Sequence, residues 1–309
     1  KDPQFHKIVL MNKNELYKLR KSTIDFIFNL DGTFEEKSSK IFHKILSDSK
    51  NQDIILGHLR LCGAIPEEID HDSSEEKLYS KYTDIVLDRA FNLIGLDSSV
   101  ISARADVADV DVNFDKYSFV ADAKAFRLSR TAKNQKDFKV SSMNKWKYEK
   151  DYALLVCPSY QVPSKKSQIY YDATNLSVLI ISYEHFAMIL NLSFRKGIED
   201  SKELLRKLFS SIESASTSDK ANSYWSLVNQ TILSYDKVML DLMKEENVMI
   251  KEAINLNRDL DLKYLETLKN KLFKLSKEEL VDEIINLKKF GTKIETINKV
   301  EDLGILDIE

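Results

Sequence analysis

Asp122-Ala-Lys124 closes the run Phe119-Val-Ala-Asp-Ala-Lys124, and the alternating run Asp109-Val-Asp-Val-Asn-Phe114 precedes it. Two carboxylates and one ammonium in such segments suit the hydrolysis of a phosphodiester held on a metal ion. Residues two apart on a strand share a face, so Asp122 and Lys124 project together. Upstream, Asp109, Asp111 and Asn113 form one row and Val110, Val112 and Phe114 the other, which is the alternation of a half-buried strand. A two-residue turn at Asp115-Lys116 pairs Phe114 with Tyr117, and counting back along both strands sets Asp109 opposite Asp122, about 5 Å away. Asp111, in the same row and nearer the turn, is the competing acid.

Two opposed carboxylates repel, and a divalent cation resolves the conflict. Mg²⁺ takes oxygen ligands, usually one or two carboxylates completed by waters and phosphate oxygens, and the carbonyl of Ala123 could supply another. The expected metal ligands are therefore Asp109, Asp122 and Ala123. Lys124 either helps to deprotonate or orient the attacking water or stabilises charge on the phosphate, and the sequence leaves that choice open. The triplet alone is commonplace, since Asp and Lys two apart on an exposed strand usually form a solvated pair. The opposed acid and the segment downstream lift it above that reading.

That segment, Ala125 to Val140, carries Arg127, Arg130, Lys133, Lys136 and Lys139 against Asp137. Cations and the hydroxyls of Ser129 and Thr131 suit phosphate contacts on a duplex. Within Lys133-Asn-Gln-Lys136, a Lys can reach guanine O6 and N7, and an Asn or Gln can bond an adenine edge twice. A solvated charged loop is the ordinary alternative.

The elements that must position these groups are legible in outline. The region from Glu75 to Leu96 reads as a helix with Leu78, Tyr82, Ile85, Val86, Phe91 and Ile94 on its buried stripe. Ser73-Ser-Glu-Glu76 is a capping box at its start, so Glu76 is either that cap or a further acid of the metal site; Asp84 on the same helix is a weaker candidate. Residues 14 to 61 read as two or three amphipathic helices, with Leu16, Leu19, Ile24, Ile27 and Phe28 on the first. Tyr152 to Cys157 and Ser177 to Ser182 are apolar runs suited to buried strands, and a helix begins at Tyr183. Ser214-Ala-Ser-Thr-Ser-Asp219 reads as a linker. Beyond it the pattern is helical and charge-dense, with a second capping box at Ser276 to Glu279 and with Tyr224, Trp225 and Leu227 as packing residues.

Val120 to Lys124 with the whole of Ala125 to Val140 resembles the HindIII-type restriction endonucleases nearly residue for residue. Weaker similarity extends over about residues 60 to 190, in Glu76 to Lys81, Asp84 to Leu87, Asp109-Val110, Lys150 to Ala153, Lys166 to Ile169 and Glu184-His185, with an echo at Lys293 to Ile297. The resemblance implies an α/β fold with the PD-(D/E)xK core, a mixed central sheet flanked by N-terminal helices and a helical C-terminal region. It implies a homodimer that cuts double-stranded DNA with Mg²⁺ at AAGCTT after the first A, and a companion methyltransferase in the same host. By matching, Asp109 and Asp122 are the acidic ligands, Lys124 the catalytic lysine, and Asn134 and Lys136 the readers of adenine and guanine. Ala108 stands where the motif conventionally has Pro, and the turn between the active strands is shorter than in the best-known member.

The rest of the chain agrees with this expectation. With 309 residues, 43% hydrophobic, seven Gly and four Pro, it can bury a large core and should be helix-rich with one mixed sheet. The expected segments are an N-terminal helical part (1–72), a catalytic core with its recognition arm (73–192), and a helical C-terminal region (193–309) that could form the dimer. No apolar run is long enough to span a bilayer and no signal-peptide pattern is present, which suggests a cytoplasmic bacterial protein. Cys62 and Cys157 read as reduced core residues, and the five histidines lack zinc-ligand spacing. The net charge of −3 governs the far field and not a groove. From Lys124 to Lys150, nine basic residues face only Asp137 and Glu149. A repair or recombination nuclease without sequence preference, and a DNA-binding protein without catalysis, are the two rival readings.

Overall fold

The computed structural model describes residues 11–101, 107–130, 135–287 and 290–298. The chain forms two compact units, Lys1–Leu260 and Asp261–Glu309.

The first unit opens with α1 (Lys13–Phe28), α2 (Phe34–Asp48) and α3 (Gln52–Cys62), followed by α4 (Ser74–Leu93). The first two begin with reciprocal capping boxes, Asn12 with Glu15 and Thr33 with Glu36, which satisfy amide groups that a helix start leaves open. At α4, Ser73 Oγ accepts the Glu76 N–H at 3.0 Å, while the Glu76 carboxylate accepts the Asp72 N–H at 2.7 Å. A cap of this kind contributes about 1 kcal/mol.

The sheet follows: β1 (Asp97–Val100), β2 (Val110–Phe114) and β3 (Tyr117–Ala123). After the short helices α5 (Gln135–Phe138) and α6 (Val140–Lys147) come β4 (Tyr152–Cys157), α7 (Gln168–Asn175) and β5 (Val178–Ser182). The order is β1-β2-β3-β4-β5. The first three strands are antiparallel neighbours, and β3, β4 and β5 run parallel. Asp115 and Lys116 form the turn, and Phe114 pairs with Tyr117. The parallel strands β4 and β5 are buried almost throughout, as continuous Val, Leu and Ile runs covered on both faces must be.

Three further helices complete the first unit, α8 (Tyr183–Arg195), α9 (Ile198–Glu213) and α10 (Ala221–Leu233), and α11 (Val238–Leu272) runs on past Leu260. The rings of Phe91 on α4 and Phe209 on α9 lie 5.2 and 5.1 Å from that of Phe119, and Phe91 lies 4.9 Å from Phe186 of α8. Each such aromatic contact adds about 1 kcal/mol beyond its buried area. Together they hold three helices on β3, the strand that ends in Asp122 and Ala123.

The Ser-rich stretch expected as a linker joins α9 to α10 inside the first unit. Its composition is that of a linker, but α10 is anchored: Tyr224 is buried, and its hydroxyl accepts the Ile180 N–H at 2.6 Å and donates to the Ile180 carbonyl at 3.1 Å.

The second unit holds the end of α11, α12 (Lys277–Leu287) and α13 (Phe290–Asn298). Ser276 and Glu279 make the expected capping box, and α12 buries no residue. Among the described residues no helix is long and apolar enough to cross a membrane.

Candidate active site

The register of β2 against β3 pairs Val110 with Ala121 and Asp111 with Val120. One step further sets Asp109 against Asp122, and the Asp109 N–H continues the ladder to the Ala121 carbonyl at 3.1 Å. Asp109 itself lies in a bend just before β2, fixed on its other side by the Ile101 N–H bonding to its carbonyl at 2.8 Å. Asp111 is occupied elsewhere. It pairs with Lys150 at 2.6 Å and accepts from Asn113 at 3.0 Å.

Asp122 is 2% exposed. Lys124 donates to its Oδ2, whereas its Oδ1 is buried without a hydrogen-bond partner. Such an orphan requires a reason, and an absent ion or water is a common one. The Lys124 backbone is fixed as well: its N–H bonds to the Val156 carbonyl at 2.8 Å, and the Tyr183 hydroxyl donates to its carbonyl at 3.0 Å. One strand and one helix therefore hold the lysine at the end of β3.

Electrostatics separates the two facing acids. Burial, the hydrogen bond to Asp122 and the negative charges of Asp84 and Asp122 push Asp109 well above the ordinary carboxylate value. Burial also opposes the charge on Asp122, but Lys124, the bond from Asp109 and the charge of Lys139 together hold its carboxyl below that value. Lys124 loses charge stability by burial and regains more from Asp122, Asp109 and Asp84, so its ammonium is favoured. Of the two, Asp109 is the acid whose surroundings favour the proton and Asp122 the one whose surroundings favour the charge.

Asp84, the weaker of the two α4 candidates by sequence, is the one that interacts with Asp122 and Lys124. It lies on α4 one and two turns before Asp88 and Phe91, on the stripe that faces the sheet, and is 7% exposed. Burial raises its carboxyl, Lys81 opposes this, and Asp122 raises it further. Lys81, one turn before it, donates to the Ile101 carbonyl at 3.2 Å. The available signal was the spacing Asp84, Asp88, Phe91, which puts two acids on a helix face with an apolar residue.

Glu76 is placed differently. Besides its capping bond, its carboxylate pairs with the guanidinium of Arg127, which also donates to the Ile69 carbonyl. Arg127, expected on a phosphate, turns into the fold because a carboxylate and a carbonyl satisfy it there. Gln161 in turn donates to the Arg127 carbonyl at 3.1 Å. Arg130 pairs with Asp137 and lies 3.9 Å over the Phe126 ring. Lys139 is exposed, with a left-handed backbone (φ 51°) just before α6 and its Nζ 5.4 Å from the Trp146 ring. Lys136 lies in α5, while Lys133 and Asn134 lie outside the described residues.

A hairpin with opposed acids, an orphaned carboxylate oxygen and a lysine two residues on offers hard oxygen ligands and a cation at one place, which suits a divalent ion and a phosphate. The family model of the HindIII restriction endonuclease matches residues 21–301. The chain belongs to that family. It is 34% identical over 296 residues to the type II restriction enzyme HindIII of Haemophilus influenzae, across 93% of this chain and 95% of that protein. The family's match thus covers the helices before the sheet, the hairpin, the arm and α10 to α12 together. Membership makes the chain a site-specific deoxyribonuclease, a hydrolase of the phosphodiester bond, and type II restriction enzymes generally use a divalent metal.

Proposed function

We propose that this chain cuts double-stranded DNA at a short palindrome, AAGCTT after its first A by likeness to its relatives, with Mg²⁺ as cofactor. The observation that carries the reading is the buried Oδ1 of Asp122, without a hydrogen-bond partner on a strand whose register sets Asp122 against Asp109. The donor set is hard oxygen, which suits Mg²⁺. Asp109, Asp122 and the Ala123 carbonyl would hold the ion, with Asp84 behind them. Bound there, it supplies Lewis-acid polarisation of the phosphate and a more acidic water.

The residues of the chain do the rest. Lys124, kept charged by its acidic neighbours, stabilises negative charge on the phosphate, and this favours electrostatic stabilisation over general-base duty in the state described. Lys139 contacts a neighbouring phosphate, and Asn134 and Lys136 read base edges. Arg127 and Arg130 act as struts for the arm. Two subunits meeting across a two-fold axis address the two strands of a palindrome. A methyltransferase protecting the same site belongs to this reading, as does action in the bacterial cytoplasm.

Incubating plasmid with the protein and Mg²⁺ and sequencing the ends tests it. Cutting at one palindrome, abolished in Asp122→Ala, is the expected result; intact plasmid at every enzyme concentration overturns it.

A further inference from the structure

Ser159 and His185 follow the carboxyl ends of β4 and β5 by two and three residues, and these strands run parallel to β3. They therefore stand on the same sheet edge as Lys124. A cavity of about 430 Å³ opens there, lined among others by Tyr160, Pro163, His185, Asn222, Trp225 and Asn229. That volume is in the range of small-ligand sites.

Its walls are fixed by hydrogen bonds. The Ser182 N–H donates to Nδ1 of His185 at 3.1 Å, so the ring proton sits on Nε2, which donates to Asn229 Oδ1 at 2.9 Å. Asn229 must turn its oxygen toward His185, which leaves its N–H groups as donors for another acceptor. Trp225 Nε1 donates to the Tyr170 hydroxyl at 3.0 Å, which donates onward to the Pro163 carbonyl. The His185 and Trp225 rings stack, with centroids 5.7 Å apart and planes 10° apart. Half-buried aromatic faces with an oriented amide beside them suit a nucleobase, which stacks and offers ring-nitrogen or carbonyl acceptors.

The rim supplies charge. The Ala221 N–H bonds to the Lys165 carbonyl at 2.7 Å, and Lys166 bridges to Lys220. These contacts bring three exposed lysines beside Ala221 and Asn222 of the cavity wall. Asp219, 3.8 Å from Lys166, offsets only part of this charge. Phosphate is the group such a rim attracts.

We propose that this cavity is a nucleotide subsite, with the base against His185 and Trp225, Asn229 donating to its acceptor edge, and the phosphate on Lys165, Lys166 and Lys220. The nucleotide comes either free from solution or from DNA beyond the cut site, the second source resting on the cleavage reading above.

Calorimetric titration of the metal-free protein with the four 2′-deoxynucleoside 5′-monophosphates, their nucleosides and inorganic phosphate tests the first source. At least one nucleotide should bind about tenfold tighter than its nucleoside or phosphate alone. Binding should weaken about tenfold in Asn229→Leu and in the triple variant Lys165→Gln, Lys166→Gln, Lys220→Gln, and persist in Lys124→Ala. For the second source, duplexes with short and long flanks around the cut site are compared, and both variants should weaken only the long one. The proposal is overturned if phosphate alone binds as tightly as every nucleotide. It is also overturned if neither nucleotides nor the long duplex separate both variants from wild type. Plasmid cutting by the same preparations reports the cleavage reading separately: cutting with no subsite signal removes the subsite alone, and a subsite signal with no cutting removes the cleavage reading alone.

Discussion

Lys124 takes one oxygen of Asp122 and leaves the other buried without a partner, while burial and the neighbouring acids push the carboxyl of Asp109 above the ordinary value. Such a shift favours a protonated Asp109 in the metal-free protein, a hydrogen-bond donor whose role an asparagine amide can fill. Asp109→Asn should change metal-free stability by no more than about 1 kcal/mol, yet lower cleavage by roughly a thousandfold or more if it is the proposed metal ligand, since losing one removes several kcal/mol of transition-state stabilisation. Denaturant unfolding in chelator and plasmid cutting in Mg²⁺ check the two halves. Equal losses in both would mean that the acid is structural.

The same proton predicts a pH dependence. Asp109 and Asp84 have folded values raised above the ordinary 3.8, so between 3.8 and those raised values the folded state binds more protons than the unfolded one. Their contribution is fully present below 3.8 and is lost as pH rises through the folded values. Metal-free stability should therefore fall on going from neutral to alkaline pH, and Mg²⁺ should remove that slope by replacing the proton. Titration calorimetry in two buffers of different ionisation enthalpy should show release of about one proton per site at pH 7. Uptake, or no exchange, contradicts the assignment.

Asp84 and Glu76 lie two turns apart on α4 and should behave oppositely. Asp84→Asn removes a buried ionisable carboxyl beside the proposed metal ligands, and apparent Mg²⁺ affinity in cleavage should drop about 10- to 100-fold. Glu76→Gln leaves Arg127 half-buried without its carboxylate. It should cost about 1–3 kcal/mol of stability and leave the Mg²⁺ dependence unchanged. Cleavage measured against Mg²⁺ concentration, beside thermal unfolding, separates the two.

The hairpin was legible because a period of two and a two-residue turn fix register by counting, and the pairs Phe114 with Tyr117 and Val110 with Ala121 follow from nothing longer in range. Asp84 was not, because which face of α4 meets the sheet depends on Phe91 packing against Phe119 and Phe186, whereas Glu76 stood out by a local capping pattern. Arg127 read as a phosphate contact because its partner lies 51 residues away. Long-range pairing, not composition, decides whether a basic residue faces the substrate or the fold.

Arg130 is held within the fold. Its guanidinium lies over Phe126 and pairs with Asp137, and Phe126 is itself 5.6 Å from the buried Phe138. The backbone at Phe126 is tied to the end of α3 by its N–H to the Gly63 carbonyl at 3.0 Å and by its own carbonyl to Ile65 at 3.2 Å. Both ends of the stretch containing Asn134 are thus clasped to one anchor, and the pair closes that clasp. If Arg130 contacted phosphate directly, Arg130→Gln would weaken all duplexes alike and reduce the salt slope by about one. As a clasp, its loss should instead raise cutting at sites with one wrong base pair relative to the palindrome, with a nearly unchanged salt slope. The exchanged pair Arg130→Asp with Asp137→Arg should recover part of the discrimination, since a partly buried pair carries a coupling of about 1 kcal/mol. Cleavage rates on matched and mismatched duplexes at several salt concentrations decide between the two, and a uniform loss with no recovery on exchange would return Arg130 to the DNA.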